Sequence, residues 1–195
     1  METDEEIMTT GNKKSYKKVV AQLYEFYLSG AITAPEDYVE WFDTIRSASK
    51  NDVIKIYINS PGGDLFTAIQ FMRVLTETDA QVVISVEGAC MSAATLIFMC
   101  GHQYEISPHS VFMFHNYSSG MAGKGGEMFD RMAHERIWSE KLFQDVYADF
   151  LNEREIKSIL DNKDLWMDSD EVIKRLKKKI KKNEKESKDE SKGLE

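Results

Sequence analysis

Short runs rich in β-branched and aromatic residues alternate with helix-periodic runs along most of this chain. Residues 52–60, DVIKIYINS, alternate apolar and polar side chains, which predicts a strand that ends at a Pro-Gly-Gly sequence. Residues 65–78 return to helical spacing, and residues 80–88, AQVVISVEG, predict a further strand. Because strands and helices alternate with short connections, the sequence predicts an α/β fold with right-handed crossovers.

The chain of 195 residues is long enough for one domain with a sizeable core, and its composition divides it into three parts. Residues 1–15 are predicted to be a mobile N-terminal segment, and residues 16–176 to be the folded domain. Residues 177–195 are charged and of low complexity, and they carry too little apolar surface to become ordered. We therefore expect a disordered tail there.

Charge and hydropathy exclude several classes of function. The net charge of −8 argues against general binding to nucleic acid. The longest apolar stretch, residues 91–100, is too short to span a bilayer, and the acidic N-terminus does not have the pattern of a signal peptide. The sequence therefore predicts a cytoplasmic protein that binds neither nucleic acid nor membranes.

The cysteine and histidine residues do not form a metal-binding pattern. Cys90 and Cys100 both lie in apolar surroundings, where reduced, buried thiols are expected. The four histidines are scattered, and no paired cysteine spacing accompanies them. We expect no metal and no other cofactor.

Ser92 lies where a predicted strand meets a predicted apolar helix. Taken alone, this position favours a helix N-cap. The alternative is a nucleophile, because the free N–H groups at a helix N-terminus stabilise developing negative charge, and Ala93 can offer its own N–H to an oxyanion. The glycines of residues 58–64, INSPGGD, can also expose N–H groups for an anion, although an ordinary tight turn is the stronger interpretation of that sequence alone.

A serine nucleophile requires a base and a group that orients the base. His115 ends an apolar strand just before a glycine-rich segment, which suits a base, although it could simply cap a strand. His102, His109 and His134 fit less well, because the first two flank a short strand in turns and the third lies on a long helix. Asp164 precedes three apolar residues that could bury its carboxylate beside a histidine, whereas a solvated loop acid is the simpler interpretation.

Four segments together resemble the ClpP family of serine peptidases, the proteolytic subunit of Clp protease. They are IYINSPGGD, EGACMSAA, SVFMFHN and KDLWMDSDE, and they lie between about Phe26 and Leu176. The separations of 23 residues from Ser92 to His115 and of 49 residues from His115 to Asp164 also fit this family. Each segment alone is moderately specific for this family. All four segments in the family's order are strongly specific for it.

The resemblance implies a role for each matched residue. Ser92 is expected to be the nucleophile, His115 the general base and Asp164 its orienter. The backbone N–H groups of Gly63 and Ala93 are expected to form the oxyanion hole. The implied reaction is hydrolysis of peptide bonds in polypeptide substrates through an acyl-enzyme.

The resemblance also implies a fold and an assembly. The fold is the ClpP/crotonase-like ββα superhelix with a protruding strand-and-helix handle, here formed by residues 118–126 and a helix over residues 127–150. The handle's apolar side is expected to be exposed in one subunit and buried between subunits of a homo-oligomer of stacked rings. That stripe consists of Met128, Met132, Ile137, Trp138 and Phe143. An AAA+ unfoldase is the expected partner of an ATP-dependent protease of this kind.

Several positions depart from the family pattern. Asn116 and Tyr117 stand where the family has Gln-Pro, and Ala93 and Ala94 stand where it has Met-Gly. The family's pore-lining loop is not recognisable in residues 1–25, which weighs against docking of an unfoldase. These departures resemble ClpP-related phage head-maturation proteases, which act without an ATPase. The expected location is then the cytoplasm of a bacterium or, for a phage-encoded protein, the cytoplasm of the host.

Two further hypotheses belong to other classes of function. One is a catalytically silent ring subunit, and the other is a crotonase-type acyl-CoA enzyme on the same fold. Retention of Ser92, His115 and Asp164 argues against both.

Overall fold

The computed structural model describes residues 6–10, 13–17 and 20–192, and it describes side-chain exposure for residues 20–181. The strands are β1 (Glu6–Thr10), β2 (Lys13–Lys17), β3 (Leu23–Ser29), β4 (Val53–Ser60), β5 (Gln81–Met91), β6 (Gln103–Ile106), β7 (Val111–Phe114) and β8 (Leu165–Asp168). The α-helices are α1 (Val39–Ser47), α2 (Leu65–Glu77), α3 (Ala93–Phe98), α4 (Gly125–Tyr147), α5 (Glu153–Leu160) and α6 (Ser169–Lys192). A 3₁₀ turn, Pro35–Tyr38, leads into α1.

Six strands form one sheet in the order β3-β4-β5-β7-β8, and β6 pairs with β5 beside this path. The first half of β5 pairs with β6 through Val83–Val86, and its last residues pair with β7 through Ala89–Met91. The pairings from β3 to β7 are parallel, and β8 runs antiparallel to β7. The predicted α/β class is confirmed.

The core lies between this sheet and the first helices. β4 alternates β-branched side chains with polar ones, and its Ile54, Ile56 and Ile58 are fully buried. Phe42 of α1 and Phe71 of α2 meet edge to face over the sheet, with ring centroids 4.8 Å apart. Each such buried side chain contributes about 1.5–3 kcal/mol of hydrophobic stabilisation.

The sequence did not predict strand β8. It has four residues and pairs with β7 so that Leu165 stands opposite Phe114 and Met167 opposite Phe112. Met167 is buried, whereas Trp166 on the opposite face is exposed. This short strand fixes the start of α6 and the position of the residue that precedes it, Asp164.

The apolar stripe predicted on α4 is only partly exposed. Met132 and Ile137 are exposed, at 60 % and 72 %, whereas Met128 and Trp138 are half-buried. The prediction was wrong for Phe143, which is 3 % exposed. The reason is that the second half of α4 packs on the hydrophobic core. Residues 118–124, predicted to contribute a strand next to this helix, form neither a strand nor a helix.

Both ends of the chain carry regular structure. β1 and β2 pair antiparallel, and they include residues 6–10 and 13–15 of the segment predicted to be mobile, while β2 continues to Lys17. Residues 1–5, 11 and 12 of that segment lie outside the described residues. α6 continues past Leu176 to Lys192, into the predicted disordered tail, of which residues 193–195 are not described. Lysine and glutamate favour helices, which accounts for this extension. The domain boundaries themselves stay a prediction. Among the described helices, none has both the length and the apolar character to cross a bilayer.

Arg175 ties α6 to the preceding helix. Its Nη1 and Nη2 atoms donate to the two carboxylate oxygens of Glu155, each at 2.8 Å, and its Nε donates to Glu171 at 2.8 Å. Glu155 also completes the capping box of α5 with Asn152. The side chains of Arg175 and Glu155 are each only 19 % exposed. The hydrogen bonds from Arg175 hold the pKa of Glu155 below its ordinary value.

We expect Arg175→Met to lower the free energy of unfolding by about 2–3 kcal/mol, because it leaves Glu155 without its bidentate partner in a partly buried site. Lys174→Met is the control, since Lys174 makes an exposed pair with Glu171 and should contribute less than about 0.5 kcal/mol. Urea titrations measure both. Because the pKa of Glu155 is lowered by folding, this stabilisation is complete above about pH 4.3 and is lost as the pH falls through the folded pKa. Equal losses in the two variants at pH 7 would contradict this account.

Candidate active site

Ser92 follows the last residue of β5 and precedes the first residue of α3. Its backbone angles are φ 53° and ψ −129°, a conformation that residues with a Cβ rarely adopt. Its N–H donates to the carbonyl of Met113 in β7 at 2.8 Å. The turn therefore projects the serine side chain away from the sheet while the backbone stays attached to it.

Thr95 holds the carbonyl of Ser92 from inside α3. Its N–H and its hydroxyl both donate to that carbonyl, at 2.9 Å and 2.6 Å. The hydroxyl of Thr95 also lies 2.6 Å from the hydroxyl of Tyr147 in α4. Since Thr95 has already donated its only hydroxyl proton, Tyr147 is the donor in this second contact. Burial raises the pKa of Tyr147, which keeps its phenol protonated.

Neither Thr95 nor Tyr147 was found from the sequence. The two residues are 52 positions apart and belong to separate elements, so no local pattern connects them. The only available signal is that Thr95, a polar residue, interrupts an otherwise apolar helix.

His115 is the first residue after β7, and its Nε2 atom lies 2.6 Å from Oγ of Ser92. At that distance Nε2 can accept the hydroxyl proton when the imidazole carries its own proton on Nδ1. The His115 side chain is 25 % exposed. This pair has the geometry that activates a serine hydroxyl for attack on a carbonyl carbon.

Asp164 approaches the other side of the same imidazole. Because Leu165 pairs with Phe114, continuing the β7–β8 register by one residue sets Asp164 opposite His115. Oδ1 of Asp164 lies 3.8 Å from Nδ1 of His115, which is an ion-pair distance rather than a hydrogen bond. The Asp164 side chain is 51 % exposed, so its apolar neighbours do not bury it, and the simpler interpretation of a solvated acid fits its exposure. The strand sends Leu165 and Met167 inward, to the opposite side from the exposed Trp166.

Asn116 links the site to the connection between α5 and β8. Its Nδ2 donates to the carbonyl of Leu160 at 3.4 Å and to Oδ1 of Asn162 at 3.2 Å. Asn162 itself has a left-handed φ of 61°. Asn116 follows His115, and Asn162 lies two residues before Asp164. These hydrogen bonds therefore join the segments that carry the His115 and Asp164 side chains.

The Pro-Gly-Gly backbone runs beside the Ser92 turn. Gly62 has φ +92°, and a Cβ there would lie 2.6 Å from Cβ of Ser92 and 2.9 Å from N of Ala93. The N–H of Ile32 donates to the carbonyl of Gly62, and the N–H of Asp64 donates to the carbonyl of Ile32. In such a parallel bridge the N–H of Gly63 points away from Ile32.

The N–H groups of Gly63 and Ala93 make no hydrogen bond with any residue of the described chain. Ala93 is the first residue of α3, where a helix has no internal acceptor for its N–H. Both residues line the same pocket as Ser92 and His115. Two free N–H donors beside a serine hydroxyl can bind the oxyanion of a tetrahedral intermediate.

The pocket in front of Ser92 has a volume of about 640 Å³. Its walls include Phe66, Leu96, Trp138 and Phe143, and its rim carries polar groups such as Glu135. A pocket of this size and apolar lining can hold a substrate side chain next to the reacting carbonyl.

The remaining histidines do not contact Ser92. His102 accepts a hydrogen bond on Nδ1 from the N–H of Val82, and His109 has a left-handed φ of 68° in a turn. His134 is exposed on α4 at the edge of the pocket. No group of three or more His, Cys, Asp or Glu side chains with metal-binding spacing occurs within the described part of the chain.

Comparison with known proteins gives two findings. The family model for Clp protease matches residues 33–175, a range that includes Ser92, His115 and Asp164. The chain is also similar to a protein of Borreliella afzelii (strain PKo) that is named ATP-dependent Clp protease proteolytic subunit. The two are 24 % identical over 173 residues, which cover 85 % of this chain and 87 % of that protein.

Gly62 provides a direct test of the close approach at this site. We expect Gly62→Ala to lower the free energy of unfolding by at least about 3 kcal/mol, from backbone strain plus the clash with Ser92. Gly30→Ala is the matched control, because Gly30 has a similar φ of +88° but no atom lies within 4 Å of a Cβ added there. It should cost only about 1 kcal/mol. Denaturant midpoints measure the loss of stability in each variant. Equal losses in Gly62→Ala and Gly30→Ala would show that a methyl group at residue 62 fits beside the Ser92 turn.

Proposed function

The chain belongs to the Clp protease family and is a ClpP-like peptidase, and from this premise we propose that it is a serine endopeptidase with Ser92 as its nucleophile and His115 as its general base. The observation that carries the proposal is the 2.6 Å contact between Oγ of Ser92 and Nε2 of His115. A base within hydrogen-bond reach of a hydroxyl is what a serine nucleophile requires.

The reaction is a two-step acyl transfer. Oγ of Ser92 attacks the peptide carbonyl while Nε2 of His115 takes the hydroxyl proton and passes it to the leaving amine. Water, activated by the same imidazole, then attacks the acyl-enzyme and releases the second product. In both steps the oxyanion accepts hydrogen bonds from the N–H groups of Gly63 and Ala93.

Asp164 orients the imidazole in this proposal. Its carboxylate stabilises the tautomer with a proton on Nδ1 and the imidazolium that forms during attack. At 3.8 Å and with Asp164 half exposed, this contact is longer and more solvated than a hydrogen bond. Its contribution is therefore expected to be smaller than that of His115.

We further propose the assembly typical of this family: a ββα superhelix with a handle, in subunits that form stacked rings around a chamber. Support comes from α4, on which Phe129, Met132 and Ile137 are 73 %, 60 % and 72 % exposed. A single chain does not cover these side chains, and a neighbouring subunit would. The proposed location is the cytoplasm.

The proposed physiological role is proteolysis that depends on an AAA+ unfoldase, and support comes from the name of the Borreliella afzelii relative. The second candidate is an ATPase-independent phage head-maturation protease. It is favoured by Asn116 and Tyr117, which stand where the family has Gln-Pro. A catalytically silent subunit is disfavoured by the contact between Ser92 and His115.

The nucleophile and base can be tested with a fluorophosphonate probe, which labels activated serines. We expect Ser92→Ala to abolish labelling, and peptide hydrolysis by either Ser92→Ala or His115→Ala to fall on the order of 10⁴-fold or more. Asp164→Asn should lower kcat only on the order of a hundredfold, because its contact with His115 is longer than a hydrogen bond and partly exposed to solvent. Asp161→Asn, three residues earlier, is the matched control and should be unaffected. Labelling that persists in Ser92→Ala would refute the assignment.

The two physiological roles differ in their need for ATP. We expect the purified protein to cleave short peptides alone, and to degrade a folded substrate only when a Clp ATPase and ATP are added. Gel analysis of a stable folded substrate, with a non-hydrolysable ATP analogue as control, measures this difference. Degradation of assembled capsid or scaffold chains without any ATPase would favour the head-maturation protease instead.

A further inference from the structure

Residues 117–119, here called the strap, separate two pockets. One is the 640 Å³ pocket in front of Ser92, and the other is a polar groove of about 1130 Å³ between α4 and α5. All three strap residues line both pockets, and so does Glu135 of α4. The strap is therefore the wall between them.

Side chains, rather than backbone pairing, hold the strap in place. Residues 115–124 form neither a strand nor a helix. Oε2 of Glu135 accepts hydrogen bonds from the hydroxyl of Tyr117 at 3.0 Å and from the hydroxyl of Ser119 at 3.4 Å. Oε1 of the same carboxylate accepts from Nε of Arg131 at 2.6 Å.

The hydrogen bonds from Tyr117 and Ser119 to Glu135, here called the clamp, are kept intact at neutral pH by the charges around this carboxylate. The hydrogen bond from Arg131 holds the pKa of Glu135 below its ordinary value, so the carboxylate stays an acceptor. Burial, together with the contact to Glu135, raises the pKa of Tyr117, so its phenol stays a donor. The Glu135 side chain is 17 % exposed, whereas Arg131 is 59 % exposed.

The clamp also fixes an aromatic wall beside His115. The ring of Tyr117 meets Trp138 edge to face at 6.1 Å, and Trp138 stacks on Phe66 at 5.9 Å. Phe66 lies three residues after Gly63, and Tyr117 lies two residues after His115. The three rings therefore border the space that a substrate side chain enters next to the reacting carbonyl.

We propose that Glu135, acting through Tyr117, is a positioning residue that decides which substrate side chains this peptidase accepts. With the clamp closed, the pocket ends at the strap and takes an apolar side chain. With the clamp broken, the pocket opens into the polar groove. The groove carries more acidic than basic groups, with Glu135, Glu140, Glu153 and Asp161 against Arg136 and Lys157, so basic side chains become acceptable. This inference rests on the proposed function, since it assumes that Ser92 is acylated in that pocket.

The test compares Tyr117→Phe, which removes one hydroxyl and keeps the ring, with Glu135→Ala. Asp130→Ala is the control, because Asp130 is an exposed carboxylate on the same helix that lines neither of these two pockets. Fluorogenic peptides with either leucine or lysine before the scissile bond report selectivity. Fluorophosphonate labelling, which needs no side-chain pocket, reports the reactivity of Ser92.

We expect both clamp variants to lose roughly tenfold in kcat/KM for the leucine peptide, mainly through a higher KM, and to gain on the lysine peptide. Their labelling rates should stay within about twofold of the wild type, as for Asp130→Ala. An unchanged leucine-to-lysine ratio in Tyr117→Phe would overturn the inference, even if Glu135→Ala fails to fold. Equal losses on both peptides and in labelling would also overturn it, since the clamp would then only hold His115. No labelling of the wild type would instead refute the proposed function itself.

Discussion

Two hydrogen-bonded neighbours hold the backbone of Ser92 in a left-handed conformation, with Met113 bound to its N–H and Thr95 to its carbonyl. Such a conformation costs about 1–3 kcal/mol, and it persists only where the surrounding structure imposes it. Here the surroundings are a parallel strand on one side and a threonine anchored by the buried Tyr147 on the other. The turn needs a neighbour without a side chain, which explains the close approach of Gly62. In return it directs the hydroxyl of Ser92 toward His115.

Strand β7 connects the parts of the site that are distant in sequence. β7 pairs with β5, and the carbonyl of Met113 in β7 accepts a hydrogen bond from the N–H of Ser92. His115 is the first residue after β7. Through its antiparallel pairing with β8 it brings Asp164 to the imidazole. Because side chains alternate along a strand, a slip of β8 by one residue would turn Asp164 away from His115 and expose Met167. The register of the four-residue strand β8 therefore determines whether Asp164 faces His115.

The sequence predicted the α/β class and the extents of β4 and α2, since both have clear periodicity and the Pro-Gly-Gly sequence separates them. It also singled out Ser92 and His115, which the structure brings into contact, through motifs that resemble a family rather than through local physics. It missed β8, because four residues carry too little pattern, and it misjudged the exposure of Phe143. Those properties depend on packing between distant segments. The hydrogen bond from Tyr117 to Glu135 likewise joins a loop to a helix, and no sequence pattern in either segment predicts this contact.

The shared pairing of β5 has a consequence for local unfolding. Its amides are bonded to β4 on one side and to β6 and then β7 on the other, so the strand that leads into Ser92 can open only when much of the sheet opens. The strap two residues after His115 has no such ladder, and it can detach at the cost of a few side-chain hydrogen bonds. Amide exchange would therefore be slow at the serine and fast at the wall of its pocket. The molecule therefore combines a turn at Ser92 that is bonded to the sheet with a pocket wall held by side-chain hydrogen bonds, so the wall can open without disturbing that turn.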